Sequence, residues 1–228
     1  MGVGYFMWGY KKYPGFSGLF LYLLDKKIIK SVLEAENLHI LEIADINTKL
    51  HFIIKWLKNL QKEYPLKGLE ILEKDTLFNC YMDLVYYKIF EYREKVFQII
   101  NEIFNFGINS SDSKLNDKIM DKLKQNNKFD NIKMLLTEFM NLDSIKKILK
   151  KRRALSHGKR VREHISYSWL MISGKRNEFF KDLETLGPHL EKVKMNVIAS
   201  EKIKEVSGIQ DKLFEFESKI CIEITKII

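Results

Sequence analysis

The chain has 228 residues, 46% of them apolar and 30% charged, which is long enough to bury a core unaided and too apolar for disorder. With three prolines, and few glycines after residue 18, it lacks the turn punctuation of a sandwich or barrel of short strands, so an all-α fold is expected. A formal net charge of +9 directs attention to a polyanionic partner if that charge is focused in one place.

The first ten residues, MGVGYFMWGY, are apolar and aromatic. Lys11, Lys12 and Pro14 interrupt them, and the uncharged run from Tyr13 to Leu24 is too short to span a bilayer. Phe6 occupies the position where a myristoylation signal needs Ser or Thr. Residues 1–30 therefore read as an N-terminal arm, packed or at an interface, rather than a secretion signal or membrane anchor.

From Ser31 to Lys62 the apolar residues Leu38, Leu41, Ala44, Leu50, Ile53, Ile54, Leu57 and Leu60 recur at helical spacing. Ser31 is a possible N-cap and Pro65 lies beyond the end, so one long helix is expected. A second, capped by Asp75 or Thr76, runs to a stop at Gly107, and its two apolar faces mark it as a central element. Residues Ile108 to Asn131, rich in Asn, Asp, Ser and Lys, read as a solvated excursion with one short helix. A further helix covers Ile132 to Met140, and Asp143 or Ser144 caps the next. Pro188 is a plausible first helical position for a C-terminal helix to Ile228, interrupted at Ser207 and Gly208. No repeat or linker divides the chain, and a single domain is expected.

The charge is focused. Residues 146 to 162, KKILKKRRALSHGKRVR, carry nine basic residues and no acidic one, and the remaining chain balances at 30 basic against 30 acidic. Such a segment suits nucleic acid first and an anionic membrane surface second. In one straight helix over 145–172, Ile145, Ile148 and Leu149 would point about 150° away from Val161, Ile165, Trp169 and Ile172. A break between about Lys150 and Gly158 resolves the conflict and puts Arg152 and His157 at a helix junction.

No H-E-x-x-H, G-x-S-x-G, Walker A or G-x-G-x-x-G pattern occurs. His157 and His164 are about 10 Å apart along a helix and cannot chelate one ion. His39, His51 and His189 read as surface or capped histidines. Cys80 and Cys221 are too few to frame a fold and have no zinc spacing, so reduced thiols and a cytoplasmic location are expected, with no metal and no cofactor. The aromatic cluster Tyr81, Tyr86, Tyr87, Phe90 and Tyr92 reads as core or interface packing before base stacking.

The pair that carries chemistry is Arg152 and His157, in RRALSH. A histidine among guanidinium groups, in a segment that docks phosphates, has what in-line attack of an RNA 2′-hydroxyl requires: a base of near-neutral pKa and cations for the phosphorane oxygens. Without catalysis, the same segment makes a nucleic-acid-binding module.

Arg152 to His157 resembles the R-x4–6-H motif of the HEPN (higher eukaryotes and prokaryotes nucleotide-binding) superfamily. The helix DLVYYKIFEYREKVFQIIN, from Asp83 to Asn101, is similar to one bacterial branch of it, and the resemblance covers roughly residues 70 to 175. It implies a HEPN-like antiparallel helical bundle and a metal-independent endoribonuclease, a toxin or phage-defence effector with a possible antitoxin or other regulatory partner. It also implies a homodimer, in which Arg and His from two protomers line one cleft. In that setting Arg152 and His157 are catalytic, and Arg153, Ser156, Lys159, Arg160, Lys150 and Lys151 bind RNA. Arg153 stands where the family usually has Asn, Asp or His. A silent HEPN module and a membrane-surface protein are the alternatives.

Overall fold

The computed structural model describes residues 15–30, 38–62, 69–156 and 176–228, and for 62, 69–75, 151–156 and 176–198 it describes the backbone alone. Among the described residues the fold is all-α, with seven helices: α1 Gly15–Asp25, α2 Ile40–Lys62, α3 Leu69–Ile103, α4 Leu115–Lys124, α5 Asp130–Asn141, α6 Asp143–Ser156 and α7 Arg176–Ile227.

Helix α1 is part of the expected arm, and its sequence explains why it is not peripheral. Phe16, Leu19, Phe20 and Leu23 fall on one face and are buried against α7 and α2. It ends in a Schellman turn: Lys27 takes φ 57°, and the amides of Ile28 and Lys27 donate to the carbonyls of Leu23 and Leu24. Residues 1–14 of the arm lie outside the described residues.

The predicted α2 stripe is in the core at Leu50, Ile54, Leu57 and Leu60, with Ile53 partly covered. The helix begins later than the periodicity implied, at Ile40 rather than near Ser31. His39 adopts φ 58°, a left-handed conformation that no α-helix continues through. Ser31 itself lies outside the described residues.

Helix α3 starts at Leu69, ahead of the expected caps at Asp75 and Thr76. It is central, packing on α2, α4 and α6. Its exit is a second Schellman turn with Asn105 at φ 49°, the amides of Phe106 and Asn105 donating to the carbonyls of Asn101 and Glu102. Gly107, at φ 66°, follows four residues past the helix end.

The excursion after α3 contains the expected short helix, α4, but much of it is packed. Leu115, Ile119, Leu123 and Phe129 are buried. The Asn101 side chain is buried and pairs with both backbone groups of Ile108, donating to its carbonyl at 2.9 Å and accepting from its amide at 3.1 Å. Polar composition concealed these anchors.

Helix α7 also departs from expectation. It begins at Arg176 rather than Pro188 and runs unbroken through Ser207 and Gly208. The apolar series Ile203, Val206, Ile209, Leu213, Phe216, Ile220 and Ile224 is buried. Packing of that stripe against α1, α2, α5 and α6 outweighs the roughly 1 kcal/mol that a mid-helix glycine costs.

Candidate nucleic-acid interface

Helix α6 is where the charge is focused. Asp143 lies in its first turn, favourable to the helix dipole, and Ile145 and Ile148 are buried, fixing the helix to the bundle. Lys146, Lys147 and Lys150 are exposed. Several lysines elsewhere have carboxylates at hand, as in Lys49–Asp45, Lys88–Glu91, Lys124–Asp121, Lys133–Asp130, Lys219–Glu215 and Lys226–Glu223. Among the described residues, Lys146, Lys147 and Lys150 have no such partner. Among the described residues these three ammonium groups of one helix are therefore uncompensated.

The helix is described to Ser156, so Lys150–Ser156 are helical, and the rest of the region where the apolar phases required a break lies outside the described residues. Lys150, Lys151, Arg152, Arg153 and Ser156 thus lie on its last two turns, within about 10 Å of axis. By backbone register Arg152 comes two turns after Ile145, on the line of the buried residues. His157, Lys159 and Arg160 lie outside the described residues, as do Gly158 and His164. Helix α6 brings together five of the eight predicted site residues.

A second polar cluster is internal. Glu217 of α7 is buried, 6% exposed, and accepts from the Phe16 amide at 2.8 Å, from Asn47 Nδ2 at 2.8 Å and from the Tyr92 hydroxyl at 3.4 Å. It thereby caps the N-terminus of α1 from another helix. Burial raises its pKa despite the three donors, and burial next to Glu217 pushes the Tyr92 phenol and the Cys221 thiol well up. These groups hold α1, α2, α3 and α7 together, and they are closed to solvent.

At the surface, His39 and Lys95 converge on Glu42. Burial alone would raise the Glu42 pKa, but hydrogen bonds from Lys95 and His39 outweigh it and hold the carboxylate below its usual range. A groove of about 300 Å³ between Leu23, Ile29, Leu38, Ile103 and Ile228 has Glu102 as its polar group and offers no acid-base pair. Among the described residues no cluster of His, Cys, Asp and Glu is arranged to hold a metal ion, and no helix is long and apolar enough to cross a membrane.

The predicted aromatic cluster divides. Tyr86 and Tyr92 are buried, Tyr81 and Phe90 half-buried, and Tyr87 is 53% exposed. Sequence reasoning passed over Phe52 and Trp56 of α2, which are 52% and 56% exposed. The available signal was their position off the Leu50–Ile54–Leu57 stripe: large aromatics on the polar side of an amphipathic helix have no core to fill. No family model, no curated protein and no solved structure matches the chain.

Proposed function

We propose that the protein is a metal-independent endoribonuclease with a HEPN-like bundle, acting as a homodimer on RNA in the cytoplasm. The observation that carries this reading is the acid-free run of nine basic residues from Lys146 to Arg162, whose exposed lysines Lys146, Lys147 and Lys150 have no acidic partner among the described residues, with the Arg152-x4-His157 motif inside it. Residues 70 to 175 are the region of resemblance within one domain.

In this reading His157 takes the proton of a 2′-hydroxyl, the freed oxygen attacks the adjacent phosphorus in line, and the bond to the 5′-oxygen breaks. A histidine from the partner protomer returns a proton to the leaving oxygen. Arg152 stabilises the phosphorane, while Lys150, Lys151, Arg153, Ser156, Lys159 and Arg160 hold the backbone. The products are a 2′,3′-cyclic phosphate and a 5′-hydroxyl. A toxin or phage-defence role, with an antitoxin as regulator, follows from the family resemblance.

The test is incubation of purified protein with mixed RNA in excess EDTA, followed by end-group analysis. Cyclic-phosphate ends support the reading, and RNA that is bound but left intact removes it. Arg153, in place of the usual small polar residue, favours a second reading: a silent module that binds RNA or a protein partner.

A further inference from the structure

Helix α6 commits its apolar side to the bundle and its lysines to solvent. Ile145 and Ile148 are buried and Leu149 packs against the core, which fixes the rotation of the helix about its axis. At 100° per residue Lys146, Lys147 and Lys150 fall on the opposite half of the cylinder, and all three are exposed. Lys150 follows Lys146 by four residues and Lys147 by three, so it stands one turn from both, with Cβ atoms about 5–6 Å apart. The single carboxylate of α6, Asp143, lies in the first turn and, among the described residues, pairs with none of them. Like charges one turn apart weaken a helix, so the triangle gains the fold nothing and suits an external anion.

Two features of α6 decide between polyanions. A helix that lies on a membrane surface buries an apolar face among the headgroups. The apolar face of α6 is already taken by the bundle, so the helix has charges to offer a membrane and nothing to insert. Its sequence, DSIKKILKKRRALS, also contains no aromatic residue. Sites for single strands combine a cationic path with rings on which unstacked bases settle, and α6 supplies the path without the rings. What remains is recognition of phosphates by charge alone, which favours the polyanion whose phosphates are densest and whose bases need no partner. A double helix meets both conditions: its bases stack on one another, and it carries about twice the charge per unit length of one of its strands.

We propose that the outer face of α6 docks the double-helical part of a structured RNA, with Lys146 and Lys147 joining Lys150 as phosphate ligands. The proposal rests on the reading of the protein as one that acts on RNA, and it names the substrate class as stem-containing. Because phosphate contacts carry no sequence information, docking is indifferent to the sequence of the stem.

The test uses the full chain and two fluorescent 2′-O-methyl RNAs of equal length, one that folds into a hairpin and one that stays single-stranded. Neither has a free 2′-hydroxyl, so binding is read whether or not the protein cleaves RNA. The hairpin is expected to bind several-fold more tightly, and a change in its stem sequence should leave its affinity as it was. Lys146→Ala and Lys147→Ala should each lower the slope of log affinity against log salt on the hairpin by about 0.9, and Lys146→Arg should keep it. Since both side chains are exposed, circular dichroism should match wild type. A full slope in both alanine variants overturns the proposal, as does a single strand that binds as tightly as the hairpin. Capture of the protein by vesicles containing phosphatidylserine, lost in the lysine variants while hairpin affinity stays intact, would overturn it in favour of a membrane surface. Failure of cleavage in EDTA bears on the nuclease reading and leaves this result standing.

Discussion

Replacing Gly15 by Ala adds one methyl group at the place where α1 meets Glu217. A Cβ there would lie 2.6 Å from Glu217 Cγ and nearer still to its Cδ and Oε1. A flexible exposed carboxylate would swing aside at little cost, but this one is buried and held by three donors on three helices. Moving it forfeits at least the two bonds at 2.8 Å, from Phe16 and Asn47. Hydrogen bonds to a charged group are worth about 1.5–3 kcal/mol each, and the lower helix entropy of Ala over Gly returns about 0.5–1 kcal/mol. The net expectation is destabilisation by about 2–5.5 kcal/mol, a fall in Tm of about 4–22 °C for a chain of this size. Urea denaturation followed by far-UV circular dichroism measures it. The double-mutant cycle is decisive: in a Glu217→Ala background the obstacle is gone, and Gly15→Ala should become neutral within about 0.5 kcal/mol. A cost below about 1 kcal/mol in wild type, or one of equal size in both backgrounds, would refute the assignment of the strain to Glu217.

His157→Ala and Arg152→Ala should each reduce RNA cleavage by a factor of about 10² to 10⁴ while leaving circular dichroism and RNA binding near wild type; cleavage at wild-type rate would remove both from the chemistry. RNA affinity should fall at least tenfold between about 50 and 200 mM salt, as counterion release requires, and a flat salt profile would dissociate binding from the basic segment. Glu217 has its folded pKa raised above 4.5, so the folded state holds this proton more tightly than the unfolded chain. Its contribution to stability is therefore greatest below the unfolded value and declines as pH rises through the folded one. Denaturation midpoints of wild type relative to Glu217→Gln should fall over that window and then level off. Gly208→Ala, at an exposed helical site where a Cβ meets nothing within 4 Å, should stabilise the protein by about 0.5–1 kcal/mol; a lower Tm would mean that α7 is interrupted there after all.

Helices whose apolar residues face one way were legible from the sequence: the buried stripe of α2 and the central position of α3 both follow from periodicity. Their limits were not, because the signals compete. His39 looks like any helical residue until its φ is known, and Gly208 looks like a break until the stripe on both sides is seen to be in phase. The least legible features are polar ones made by distant partners. Nothing around Glu217 marks it as buried, since its donors Phe16, Asn47 and Tyr92 come from three other helices. Asn101 likewise reads as solvated, although it ties down a loop seven residues on. At the candidate site, the charge density and the Arg-His spacing are sequence properties and needed no fold. The Phe52–Trp56 face did, because exposure is decided by which flank of α2 its neighbours leave uncovered.

The capping of α1 by Glu217 also sets an order of events during synthesis. The Phe16 amide and its acceptor are 201 residues apart, and Tyr22 reaches the carbonyl of Thr225 across 203. Until α7 emerges, the face of Phe16, Leu19, Phe20 and Leu23 has only α2 to cover part of it. At roughly 5–20 residues per second, the nascent chain must shield that face for about 10–40 s. Chaperone dependence should accordingly map to α1, and deletion of residues 15–25 should relieve it even though the finished protein would be less stable.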